Sequence, residues 1–163
     1  MGSNVQLVNG VSRLQPGWIS FDIEVSADGQ TLYFVDGQID QTGIPTMADL
    51  VIARKTATGF QRLSNSNEIL KNINTDDLEY AAGISANQLE LYFTRLSLPV
   101  TASSSPDLFV AVRNTVNDAF GAPFKINSIT GFVEAATIAP DQRTIYYHKK
   151  EGGVHVLYMA RKK

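Results

Sequence analysis

Apolar residues along this chain fall in short alternating bursts, and the bursts come in three matched sets. Ser26-Ala27-Asp28-Gly29-Gln30-Thr31-Leu32-Tyr33-Phe34 returns as Ser85-Ala86-Asn87-Gln88-Leu89-Glu90-Leu91-Tyr92-Phe93 and as Ala139-Pro140-Asp141-Gln142-Arg143-Thr144-Ile145-Tyr146-Tyr147. In each copy a turn-forming pair, Asp28-Gly29, Asn87-Gln88 or Asp141-Gln142, leads into a run of period two. This predicts a hairpin whose second strand covers 31–35, 90–94 and 144–148. The runs at 21–25, 80–84 and 134–138 are the matching first strands. A second shared block, Leu50-Val51-Ile52-Ala53, Leu108-Phe109-Val110-Ala111 and Leu157-Tyr158-Met159-Ala160, has the composition of a third strand. Phe60-Gln61-Arg62-Leu63 and Phe124-Lys125-Ile126 add a fourth, after turns containing Gly59, or Gly121 and Pro123. The connections at 37–48 and 96–106 are long and loop-like, with Gly43, Pro45, Pro99 and three serines. The third copy has only 149–154 there, and helical period is confined to a single turn near 67–71.

Four antiparallel strands per repeat make one blade of a β-propeller. The expected architecture is all-β and one domain over 1–163, with three four-stranded blades at about 20–64, 79–127 and 133–161. Regular short strands also fit a two-sheet sandwich, and the internal repetition favours the propeller. The pattern Ser-Ala-Asp-Gly-x-Thr-Leu-Tyr-Phe, followed by Asp-Leu-x-x-Ala, resembles the WD-like repeat of the TolB type over residues 20–161. Asp107-Leu108-Phe109-Val110-Ala111 and Ala119-Phe120-Gly121-Ala122-Pro123 look like its third strand and the turn that follows. The resemblance implies a fold and leaves activity open, because propellers host hydrolases, lyases, sensors and docking platforms alike. The third repeat departs from the pattern by placing His155-Val156 where Asp49 and Asp107 stand.

Three blades are fewer than the four to eight or so that close a ring. The third repeat also lacks a fourth strand, while Asn4-Val5-Gln6-Leu7 matches the fourth strands of the other two. A strand at 4–9 that completes the last blade of a second copy gives a six-bladed homodimer. The other reading is that the chain is part of a longer propeller.

Composition narrows the partners. With 44% hydrophobic and 18% charged residues the chain has the make-up of a globular domain. A net charge of −2 provides no basic stripe for nucleic acid. The one basic run, Arg161-Lys162-Lys163, reads as a solvated tail. Without cysteine there is no disulfide, thiolate nucleophile or thiolate zinc site. No apolar run approaches the roughly 20 residues of a membrane span, and Met1-Gly2-Ser3-Asn4 does not open a signal peptide. The compartment stays open.

The acids of the first strands and their approaches, Asp22, Glu24 and Glu134 with Asp76, Asp77 and Glu79, are the ligand candidates at a channel mouth. Oxygen clusters of this kind hold Ca²⁺ or supply paired carboxylates, although no EF-hand spacing is present and hydrated or strand-capping acids are the commoner case. Asp28, Asn87 and Asp141 are turn residues. His148 and His155 flank the Glu151-Gly152-Gly153 turn on paired strands and offer two imidazoles for zinc, but the sequence identifies no third ligand. No Gly-x-Ser-x-Gly elbow or phosphate loop occurs, and Ser103-Ser104-Ser105 reads as a flexible loop. The repeated aromatics Tyr33, Tyr92, Tyr146, Tyr147, Phe34 and Phe93 read as packing. Trp18, outside the repeated columns, reads as core or seam packing, with a place at the channel mouth or a staple for the N-terminal strand as the alternatives. The function expected is a non-catalytic binding scaffold, its mouth built from the loops before the first strands and the two long loops. The alternative is a hydrolase or lactonase using a divalent cation held by the acids, so whether the chain is an enzyme is open.

Overall fold

In a computed structural model, which describes residues 4–162, the turn chemistry of the repeats is realised almost atom for atom. Ser26 Oγ and the Gln30 N–H both donate to Asp28 Oδ1, at 2.6 and 3.0 Å. Ser85 Oγ and the Leu89 N–H do the same to Asn87 Oδ1, at 2.7 and 3.1 Å, and Thr144 Oγ1 donates to Asp141 at 2.7 Å. These side chains act as local backbone substitutes, and each turn releases a strand in fixed register.

The hairpins pair as β1 (Trp18–Val25) with β2 (Thr31–Ile39), β5 (Leu78–Ile84) with β6 (Glu90–Leu96), and β9 (Val133–Ile138) with β10 (Thr144–Glu151). Third strands β3 (Pro45–Thr56), β7 (Asp107–Val112) and β11 (Val154–Arg161) follow, with β4 (Gly59–Arg62) and β8 (Phe124–Lys125) as short fourth strands. One helical turn, α1 (Ser66–Ile69), lies between β4 and β5.

The all-β class stands, but the propeller does not. β1 to β8 form a single eight-stranded mixed sheet, and β9 to β11 form a separate three-stranded one. Neither sheet closes on itself. One side chain marks the place where the topology departs. After α1, the Asn74 side chain brackets Leu50, accepting from its N–H at 3.0 Å and donating to its carbonyl at 2.9 Å. This lays the incoming chain along β3, and β5 starts parallel to it at Ala48 and Leu78. A repeated motif sets each hairpin, whereas the way hairpins join depends on contacts that are not repeated.

The main core lies where β2 and β3 meet β5 and β6, around Tyr33, Leu50, Ile52, Leu70, Ile73, Leu91, Phe93 and Phe120. A second cluster joins Tyr92, Leu108 and Ile129 to Val133, Ala136, Ile145 and Tyr147, and so mounts the three-stranded sheet on its neighbour. Packing accounts for the repeated aromatics except Tyr146, which is 47% exposed.

Within this single chain the N-terminal segment has no strand to join. Residues 4–8 belong to no strand, and Val5 and Leu7 are exposed. The chain lies against the Phe60 carbonyl at Gly10 and is fixed at Val11, which is buried and whose carbonyl accepts from Arg62 Nε at 2.5 Å. The same guanidinium grips the buried carboxylate of Asp36 through two bonds, at 2.6 and 2.7 Å. Arg13 adds a third at 2.7 Å and lies over the half-buried Trp18 ring at 4.3 Å. Burial alone would raise the Asp36 carboxyl, but the two arginines hold it below its ordinary range. At the other end Lys162 is not a free tail, since its Nζ binds both Glu90 oxygens at 2.6 and 2.7 Å. Lys163 and Met1-Gly2-Ser3 lie outside the described residues.

Candidate functional site

The three first strands share a feature that sequence reasoning missed. Each carries a β-bulge at the same repeat position: the pairing skips between Phe21 and Glu24, between Tyr80 and Gly83, and across Ala135 and Ala136. The bulged residues Asp22, Ala81 and Ala135 have φ of 48, 52 and 55°. Left-handed backbone at a residue with a Cβ is strained, and such outliers persist where surrounding structure imposes them. All three meet at one cavity of about 200 Å³ lined by Asp22, Ile23, Ala81, Ala82, Ala135, Ala136 and Thr137. Bulges re-aim side chains.

Beside that cavity the bulge turns Glu134 toward β10 and β5. Glu134 Oε2 lies 3.1 Å from His148 Nε2, and Oε1 accepts from the Tyr80 hydroxyl at 2.5 Å. Burial, with the Glu134 charge behind it, pushes the Tyr80 hydroxyl well above its ordinary value. The His155 ring meets that of His148 edge-on at 5.3 Å. The ligating atoms of Glu134, His148 and His155 all lie within 4.8 Å of one another. Loss of solvent raises the nearby Asp22 carboxyl, against a hydrogen bond from the Ala81 backbone, and the charge on Glu134 raises it further.

The first expected long loop is mostly strand, leaving a short turn at 40–44; the end of that turn with the start of β3, and the loop at 97–106, build a larger cleft of about 490 Å³, with Ile44, Pro45 and Thr46 on one side and Leu98, Pro99 and Val100 on the other. Asp76 and Asp77 complete its lining. Asp77 shapes the cleft, because Oδ1 accepts from the Leu98 N–H at 3.0 Å and Oδ2 from Ser97 Oγ at 3.1 Å. Asp76 is exposed at the rim. A second, largely apolar cavity of about 200 Å³ shares Pro45 and is lined further in by Phe21, Tyr80 and Glu134. The loops, the cavity and the polar cluster therefore lie in succession.

No protein-family model matches this chain, and no curated protein matches it. Among solved structures it is similar to one described as the structure of a Mycobacterium tuberculosis puromycin-hydrolyzing peptidase, with a TM-score of 0.57 at 14% identity. The match covers 95% of this chain and 24% of that one, so the chain spans about a quarter of the peptidase's length. At this identity the likeness is one of backbone fold.

Of the acids singled out from sequence, Asp22 lies near Glu134, and Asp76 and Asp77 line the cleft together, but the six do not form one cluster. Among the described residues, Glu134 with His148 and His155 is the one grouping spaced to hold a metal ion, and no three of the acids are so placed. Glu79 is fully buried in an ion pair with Arg95 at 2.6 Å. Glu24 sits 3.4 Å from the Ile84 N–H and is raised by burial. Asp49 is pushed up to about 6 by burial and by the neighbouring Glu79 and Asp36 charges. Ser103 and Ser104 hydrogen-bond only within their own loop, to Thr101.

Proposed function

We propose that this protein is a non-catalytic binding scaffold whose ligand seats in the cleft between the start of β3 and the 97–106 loop. The observation that supports the reading most is the make-up of that cleft: apolar walls, one fixed acid that shapes it and one exposed acid at its rim. Its volume falls in the range of about 300–1,000 Å³ typical of small-molecule sites. Such a lining suits a small molecule or peptide side chain with an apolar body and a cationic group. The metal-dependent hydrolase has less support, because Glu79 and Asp77 are committed to structural bonds.

2-Phenylethylamine is a minimal probe. Added to ¹⁵N-labelled protein, it is expected to shift the amides of Ile44, Thr46, Leu98 and Val100, with affinity in the roughly millimolar range expected for so few atoms. Asp76→Asn should weaken the probe at least severalfold. Shifts scattered over the surface, or affinity unchanged in the variant, would refute the cleft as the site.

We propose in addition that the protein pairs with a second copy through its N-terminal segment. The outer edge of β11 is unpaired among the described residues, and Leu157 and Met159 along it are 83% and 60% exposed. Val5 and Leu7 alternate in the same way on a segment that has no strand to join. An exposed apolar edge takes up an added strand readily. Light scattering at micromolar concentration is expected to give twice the 17.8 kDa chain mass, reverting to one chain when residues 1–8 are deleted. A monomer at full length would overturn the pairing.

A further inference from the structure

We propose that Glu134, His148 and His155 form a zinc site, one ligand from each strand of the three-stranded sheet, with a fourth position open to water. The inference is independent of the cleft reading. It starts from the repeat. Counted from the three turns, the position of Glu134 is held by Phe21 and Tyr80 in the other repeats and that of His148 by Val35 and Thr94; counted back from the third-strand leucines Leu50, Leu108 and Leu157, that of His155 is held by Ala48 and Pro106. The pairings confirm the equivalence: Phe21 opposite Val35, Tyr80 opposite Thr94, Glu134 opposite His148. Five of the six counterparts have no metal-ligating or charged group, and Tyr80 itself hydrogen-bonds Glu134. Only in the third repeat do all three positions change together, and they change to two imidazoles and a carboxylate.

The geometry fits that substitution. Zinc takes imidazole nitrogen and carboxylate oxygen at about 2.0–2.2 Å, which sets tetrahedral ligand atoms about 3.4 Å apart. Glu134 and His148 are already 3.1 Å apart, and the set of three lies within 4.8 Å. His155 is exposed and faces solvent across the Phe132 ring edge, so its ring can swing the remaining distance. Glu134 is oriented from behind by the Tyr80 hydroxyl, the outer-shell arrangement that holds a ligating carboxylate in place. A two-nitrogen, one-oxygen set favours zinc and its late transition-metal neighbours over Ca²⁺ and Mg²⁺, which require more oxygens.

The test uses full-length protein without a histidine tag, stripped of metal. Calorimetric titration with ZnCl₂ should show one ion per chain, CaCl₂ should give no heat, and Co²⁺ should give the visible absorption of a four- or five-coordinate centre. His155→Ala, which alters only an exposed side chain, should abolish the cobalt absorption and weaken zinc at least a hundredfold. Tyr80→Phe should keep the absorption and weaken zinc by about tenfold or more. No zinc heat, no cobalt absorption, or a signal unchanged in His155→Ala would overturn the proposal.

Discussion

Replacing Glu79 by Ala is expected to remove about 3–5 kcal/mol of folding stability, the range found when one partner of a buried ion pair is deleted. The Glu79 side chain has no exposed surface. Its Oε2 accepts from the Thr75 N–H at 3.0 Å, and Oε1 accepts from Thr75 Oγ1 and Arg95 Nε, both at 2.6 Å. Arg95 is held on the other side by the Ile73 carbonyl at 2.7 Å and lies over the Phe109 ring at 4.8 Å. Deleting the carboxylate leaves that guanidinium in the core without its counter-charge, and leaves the Thr75 N–H without an acceptor. Glu79→Gln keeps the shape and part of the hydrogen bonding, so its loss should be smaller. Urea unfolding of both variants provides the measurement, and a loss below about 1 kcal/mol in Glu79→Ala would show that the pair contributes little.

Gly83→Ala is expected to be nearly as damaging, for a steric reason. Gly83 on β5 faces β9, and a Cβ built there overlaps the Ala136 carbonyl oxygen and stands 3.1 Å from Thr137 Cα. Both obstacles are backbone, so no side chain can swing away. Overpacking of this kind costs about 1–3 kcal/mol or more, and here it acts at the seam between the two sheets. The predicted signature is local: hydrogen exchange should accelerate in β9 to β11 before it does in β1 to β3. Uniform exchange rates, or unchanged stability, would show that the seam accommodates the methyl group.

The hairpins were legible because their determinants are local. Ser26, Asp28 and Gln30 write a turn within five residues, and the alternation after it fixes which side chains enter the core. The way the hairpins join was not legible. It depends on Asn74 finding Leu50, and nothing about an asparagine after a helical turn announces that partner. The bulges were hidden for another reason: Ala81 and Ala135 occupy a left-handed conformation usually given to Gly or Asn, so tertiary packing overrides the residue type. In the sequence Glu134 and the two histidines stand as separate features. The alignment that would have united them compares equivalent columns of the repeats, where Val35 and Thr94 give way to His148.

The Arg62 clamp has a geometric consequence for the chain ahead of it. With Val11 pinned and the Gly10 backbone against the Phe60 carbonyl, residues 4–8 form a leash of fixed origin whose full extension is roughly 17–18 Å. A partner held through these residues would have to sit inside this radius, so its distance would be capped by one arginine far from the point of attachment.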